Sequence, residues 1–112
     1  MNHGIKYEYW KKLEMVFRNH ENIKEVILYG SRAKGTNRQY SDVDIVLVGE
    51  NITSNEYSVI DREIDDLLLP FFFDISIYHT LTNSNLLESI NQTGVVVYKN
   101  KKLVFENTTD NK

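Results

Sequence analysis

Three aspartates are the residues best placed to do chemistry. Asp42 and Asp44 stand two apart in Ser41-Asp42-Val43-Asp44-Ile45-Val46-Leu47-Val48, a β-branched run that reads as a strand. Side chains alternate along a strand, so both carboxylates share one face while Val43, Ile45 and Leu47 turn to the other, the core side. Two like charges so placed repel: either one pKa rises or a divalent cation takes up both. Asp74 lies inside Phe71-Phe72-Phe73-Asp74-Ile75-Ser76-Ile77-Tyr78. An aspartate in so apolar a strand is costly unless it is paired or bound to a metal. If the two strands are neighbours, the three carboxylates converge and can hold two ions about 3.5–4 Å apart, the arrangement that clamps an in-line phosphoryl displacement. Each piece alone has a plainer use. A D-x-D pair also caps backbone N–H groups at strand ends and turns, and Asp74 has Arg62 and several lysines as candidate ion-pair partners.

Upstream of the pair lies Gly30-Ser31-Arg32-Ala33-Lys34-Gly35, between a strand and a helical turn. Glycine lets a backbone approach a ligand closely, and a helix start presents free N–H groups. The Ser31 hydroxyl and the charges of Arg32 and Lys34 suit β- and γ-phosphates. A plain turn with two solvated cations is the alternative.

The elements that position these residues follow from periodicity. Ile5, Tyr9, Leu13, Val16, Phe17 and His20 recur at helical spacing and predict a helix over about 5–20. Residues 24–29 (KEVILY) predict strand one, ending at Gly30; 42–48 predict strand two. Thr53 and Glu56 form a capping-box pattern ahead of Tyr57, Ile60, Ile64, Leu67 and Leu68, a second long helix. Pro70 separates it from strand three, about 71–78. Residues 83–91 predict a short helix ending near Gly94, 95–99 strand four, and 103–105 a return strand of a hairpin. Alternation leaves Phe72 on the Asp74 side of strand three. Trp10 and Phe17 are expected in the core. The sum is an α/β (α+β) domain, a small mixed sheet with helices packed on it.

The chain has 112 residues, which suits one domain, residues 1–105, and a polar tail, 106–112. Without cysteine there are no disulfides, thiolate zinc sites or cysteine nucleophiles. No apolar run approaches the ~20 residues of a membrane helix, and the N-terminus has no secretory core, so a cytoplasmic protein with no membrane partner is expected. A net charge of −3 argues against direct nucleic-acid binding but leaves room for one nucleotide.

Gly30-Ser31, then Asp42-x-Asp44, then a lone Asp74 in a later strand resembles the signature of the DNA polymerase β-like nucleotidyltransferase superfamily. The run GSRAKG…YSDVDIVLV resembles its minimal branch, the MNT proteins. The motifs span 26–78; length and element order extend the likeness to the whole chain. The resemblance implies a nucleotidyltransferase of the protein-adenylyltransferase type with two Mg²⁺ ions (Mn²⁺ as an alternative) and ATP as substrate. It makes Asp42 and Asp44 ligands of both metals. Asp74 becomes a ligand of the catalytic metal that helps deprotonate the attacking hydroxyl. Gly30 and Ser31 would bind the triphosphate, with Arg32 as a phosphate contact. Lys34 stands where an arginine is common, keeping the charge without the bidentate fork. Larger members carry a further helical domain, whereas this chain stops soon after strand four. Minimal members are antitoxins encoded beside a small helical HEPN ribonuclease toxin and transfer AMP to a tyrosine of it, so such a partner is expected to complete the acceptor site here. Two other readings stand beside this one: a module that masks its partner by contact alone, and transfer to a small molecule such as an aminoglycoside. Nucleobase preference, acceptor, stoichiometry, and any part played by Lys34, Arg38 or His79 are left open; His79 closely follows strand three and could approach the site.

Overall fold

The computed structural model describes residues 3–39 and 41–105. The expected tail, 106–112, lies outside the described residues. Ten elements follow one another: α1 (Tyr7–Arg18), β1 (Glu25–Tyr29), α2 (Ser31–Lys34), β2 (Val43–Val48), α3 (Ser54–Asp65), β3 (Phe73–Ile77), a 3-10 turn (Tyr78–Thr80), α4 (Ser84–Thr93), β4 (Val95–Lys99) and β5 (Lys102–Leu103).

The strands form one sheet in the order β3-β2-β1-β4-β5. Only β2 and β3 are parallel, joined through α3; the other neighbours are antiparallel. One face carries Val26, Leu28, Val43, Ile45, Leu47, Ile75, Ile77 and Val97. These pack with Trp10, Leu13 and Phe17 of α1 and Ile60 and Ile64 of α3 in a single core. The opposite face is only partly covered: Tyr29 and Val46 pack with Ile90 of α4, flanked by Ile27, Tyr78, Leu81 and Leu86. The end of that face nearest the start of β2 carries the carboxylates.

Local chemistry explains the element ends. Thr53 caps α3 by accepting the Glu56 N–H, but the reciprocal half of the predicted capping box does not form. The Glu56 carboxylate turns instead to His20 and Asn22. The second helix stops earlier than its apolar pattern suggests, at Asp65, because Leu68 takes a left-handed conformation (φ 56°) ahead of Pro70. Strand three is also shorter than expected, since Phe71 leaves the ladder to pack on Tyr9. Asn100 and Lys101 both have positive φ, which gives the tight turn between β4 and β5. The return strand is two residues long, and the buried Glu14 of α1 pins it by accepting the Leu103 N–H at 2.9 Å.

Candidate active site

β2 lies between β1 and β3, and register decides what meets across it. Asp44 pairs with Asp74 on the parallel side and with Tyr29 on the antiparallel side. Cross-strand partners point to the same face about 5 Å apart in backbone, so Tyr29, Asp44 and Asp74 form a row. Asp42 stands one residue before β2 begins and, by alternation, on the same face. Burial, and then the neighbouring charges of Asp74 and Asp42, push the Asp44 carboxyl above the usual carboxylate range. Among the described residues none of the three aspartates forms an ion pair; Asp74 does not reach Arg62 or a lysine. No three acidic, histidine or cysteine side chains among the described residues are gathered into a ready cage for an ion. The donors are nonetheless hard carboxylate oxygens on one face, mutually destabilising when charged, and their chemistry fits a divalent cation.

Gly30 makes room for this row. Its φ is 77°, and a Cβ there would overlap the Asp44 carboxylate oxygen. Only glycine satisfies both the backbone angle and the contact. The chain then enters α2, a four-residue turn from Ser31 to Lys34, closed by Gly35 in the left-handed conformation. Ser31 therefore sits directly after the end of β1, one strand over from Asp44.

Arg32 is placed elsewhere than a phosphate contact would require. It is 1% exposed. Its guanidinium donates to the Ser41 carbonyl at 2.8 Å, the His3 carbonyl at 3.0 Å and the Gln39 carbonyl at 3.3 Å, and lies 4.9 Å from the Phe71 ring centre. The residue after the glycine-serine pair thus braces the loop that delivers Asp42. A planar fork with five N–H donors suits that task, and Phe71 gives it an aromatic bed.

Lys34 is exposed on α2, and Arg38 is exposed in the loop, where its backbone N–H donates to Ser41 Oγ. His79 is not brought to the aspartates. It follows β3 at the end away from Asp74 and lines a cavity with Lys24, Val48 and Gly49, at the far end of β2.

Two residues join the site that motif reading passed over. Tyr29 is buried beside Asp44 and hydrogen-bonded to Ser76; burial, opposed by that bond and assisted by Asp74 and Asp44, raises its hydroxyl pKa. Ser76 lies two residues after Asp74 and so on its face. Alternation along strand three places Ser76, but nothing local places Tyr29, because its neighbour is set by pairing between strands.

The profile of the family described as Polymerase beta, Nucleotidyltransferase matches residues 11–103. No curated protein matches the sequence. Several solved structures share the fold. One is a toxin–antitoxin complex with AMP-PNP (TM-score 0.66, 16% identity, 80% of this chain and 72% of that one). Another is the MNT antitoxin complex with a tri-AMPylated HEPN toxin from Shewanella oneidensis (TM-score 0.64, 13% identity, 87% and 75%). A third is a candidate nucleotidyltransferase from Sulfolobus solfataricus (TM-score 0.55, 20% identity, 88% and 86%).

Proposed function

Because the chain belongs to the polymerase β nucleotidyltransferase family, we propose that it moves AMP from ATP to a hydroxyl, that of a tyrosine on a helical HEPN-type partner, and so acts as an antitoxin. The observation that carries this reading is the parallel register that sets Asp74 beside Asp44, with Asp42 on the same face and a glycine making room for them.

The β- and γ-phosphates of ATP lie on the Gly30-Ser31 loop, and the α-phosphorus stands before Asp42 and Asp44. Asp74, on the side of Asp44 away from that loop, faces the incoming hydroxyl and draws its proton. Arg32 does not touch phosphate in this reading; it holds the Ser41 carbonyl and thereby positions Asp42. Two Mg²⁺ or Mn²⁺ ions held by Asp42, Asp44 and Asp74 would supply charge neutralisation at the leaving oxygens and a more acidic attacking hydroxyl. Two fold neighbours support the nucleotide and the acceptor class, one being a complex with AMP-PNP and the other containing a tri-AMPylated HEPN toxin.

Asp42→Asn tests the assignment. Asp42 is exposed, so the variant folds as the wild type does, while transfer of label from α-labelled ATP to the partner disappears. Transfer near the wild-type rate overturns the catalytic reading. A neutralised partner of unchanged mass replaces transfer with masking by contact.

A further inference from the structure

Phe72 is 83% exposed, whereas the phenylalanines on either side are folded in. Phe71 packs edge-on against Tyr9 and Phe73 and lies beneath Arg32. The Phe72 backbone is held in place: its carbonyl accepts the Val43 N–H at 2.9 Å, which carries the β2–β3 ladder one step further back. That step sets Phe72 across from Asp42, and alternation puts its ring on the face of Asp74. The chain thus fixes an aromatic ring in water beside two of the three aspartates.

Its place across the sheet says what that ring meets. Phe72 and Asp74 belong to β3, Asp42 and Asp44 to β2, and the Gly30-Ser31 loop follows β1. In-line displacement puts the attacking and leaving oxygens on opposite sides of phosphorus. With pyrophosphate leaving toward the loop after β1, the nucleophile arrives over β3. Among the described residues no strand lies beyond β3, so that approach comes in across a free edge.

We propose that Phe72 is the acceptor contact of this site, packing against the ring of an aromatic hydroxyl side chain and selecting phenolic over aliphatic hydroxyls. This rests on the transfer reading above. Edge-to-face or offset packing of two rings holds the phenol oxygen in line with phosphorus while costing few rotatable bonds. A serine or threonine hydroxyl has no ring to place there.

The test uses the whole chain with Mg²⁺ and ATP and two defined acceptors, N-acetyl-L-tyrosinamide and N-acetyl-L-serinamide, each product being quantified by mass. Wild type is expected to favour the phenol. Phe72→Ala should raise the KM for the tyrosine probe about tenfold, in keeping with the loss of one aromatic pair, and leave the KM for ATP and the thermal midpoint unchanged. Phe72→Trp should restore the preference. The proposal is overturned if Phe72→Ala treats the tyrosine probe as wild type does, or if the KM for ATP rises instead, which would assign the ring to the nucleobase. It is overturned too if wild type binds ATP but modifies neither probe. Asp44→Asn separates the two levels: labelling that survives in this variant sinks the transfer reading, while a dead Asp44→Asn beside a normal Phe72→Ala sinks only the role of Phe72.

Discussion

At the scale of single residues, Asp44 is held against its own stability. Its carboxyl pKa is raised by burial and by Asp74 and Asp42, so the folded state disfavours the ionised form. For an acid shifted upward the penalty is absent below the unfolded pKa and complete above the folded one. Neutral pH therefore carries the whole of it. Asp44→Asn removes the charge, and its thermal midpoint at pH 7 should rise by about 2 °C. Millimolar Mg²⁺ should raise the midpoint of the wild type and leave that of Asp44→Asn unmoved. A wild type indifferent to Mg²⁺ in differential scanning calorimetry would argue against a metal at these carboxylates. Trading stability for a poised charge is what a site for a cation does, and no packing argument asks for three carboxylates on one face.

Among elements, the joint between α1 and α3 has its own electrostatics. His20, just beyond α1, contacts Glu63 of α3 through Nε2 at 2.7 Å and Glu56 through Nδ1 at 3.0 Å; Asn22 donates to the other Glu56 oxygen at 2.9 Å. Burial works against the charged ring, but the two carboxylates outweigh it and raise the His20 pKa above its ordinary 6.5. A raised histidine contributes stability that is fully present below the unfolded pKa and is lost as pH climbs through the folded one. The thermal midpoint should therefore fall by about 4 °C as pH rises from about 6 to 8.5, equivalent to about 1 kcal/mol. His20→Gln should flatten that slope in a calorimetric pH series. An unchanged slope would show that the two glutamates do not hold a proton on the ring. The joint lies on the covered side of the sheet, away from Asp44, so it bears on stability and not on transfer.

For the whole molecule, sheet order governs how local stability is spread. β1 and β2 are paired on both sides and carry Val26, Leu28, Val46 and Leu47 at or near zero exposure. β3 is an edge strand, and β5 is a two-residue edge held through Glu14. Amide hydrogen exchange should be slowest in β1 and β2 and faster in β3 and β5. The site thus sits where a rigid strand carrying Asp42 and Asp44 meets an edge carrying Asp74. Protection in β3 equal to that in β2 would show that the edge is covered by something besides this chain.

Much of this was legible in residue order. The apolar periodicities placed both long helices, the β-branched runs placed the strands, and Gly30, Asp42, Asp44 and Asp74 stood out by type and spacing, because these signals are local and repeat over a few residues. The inward turn of Arg32 was not legible: a cation beside a glycine-serine pair looks the same whether it faces solvent or three backbone carbonyls. His79 likewise sits near Asp74 in the chain yet at the other end of the strand, because an extended chain advances about 3.3 Å per residue. By itself the amino-acid order determined which side chains share a face along each strand. Only the tertiary structure decided which strands are neighbours and in what register, and so brought Tyr29, Asp44 and Asp74 into one row. Those pairings join residues far apart in the chain, where no local period reaches.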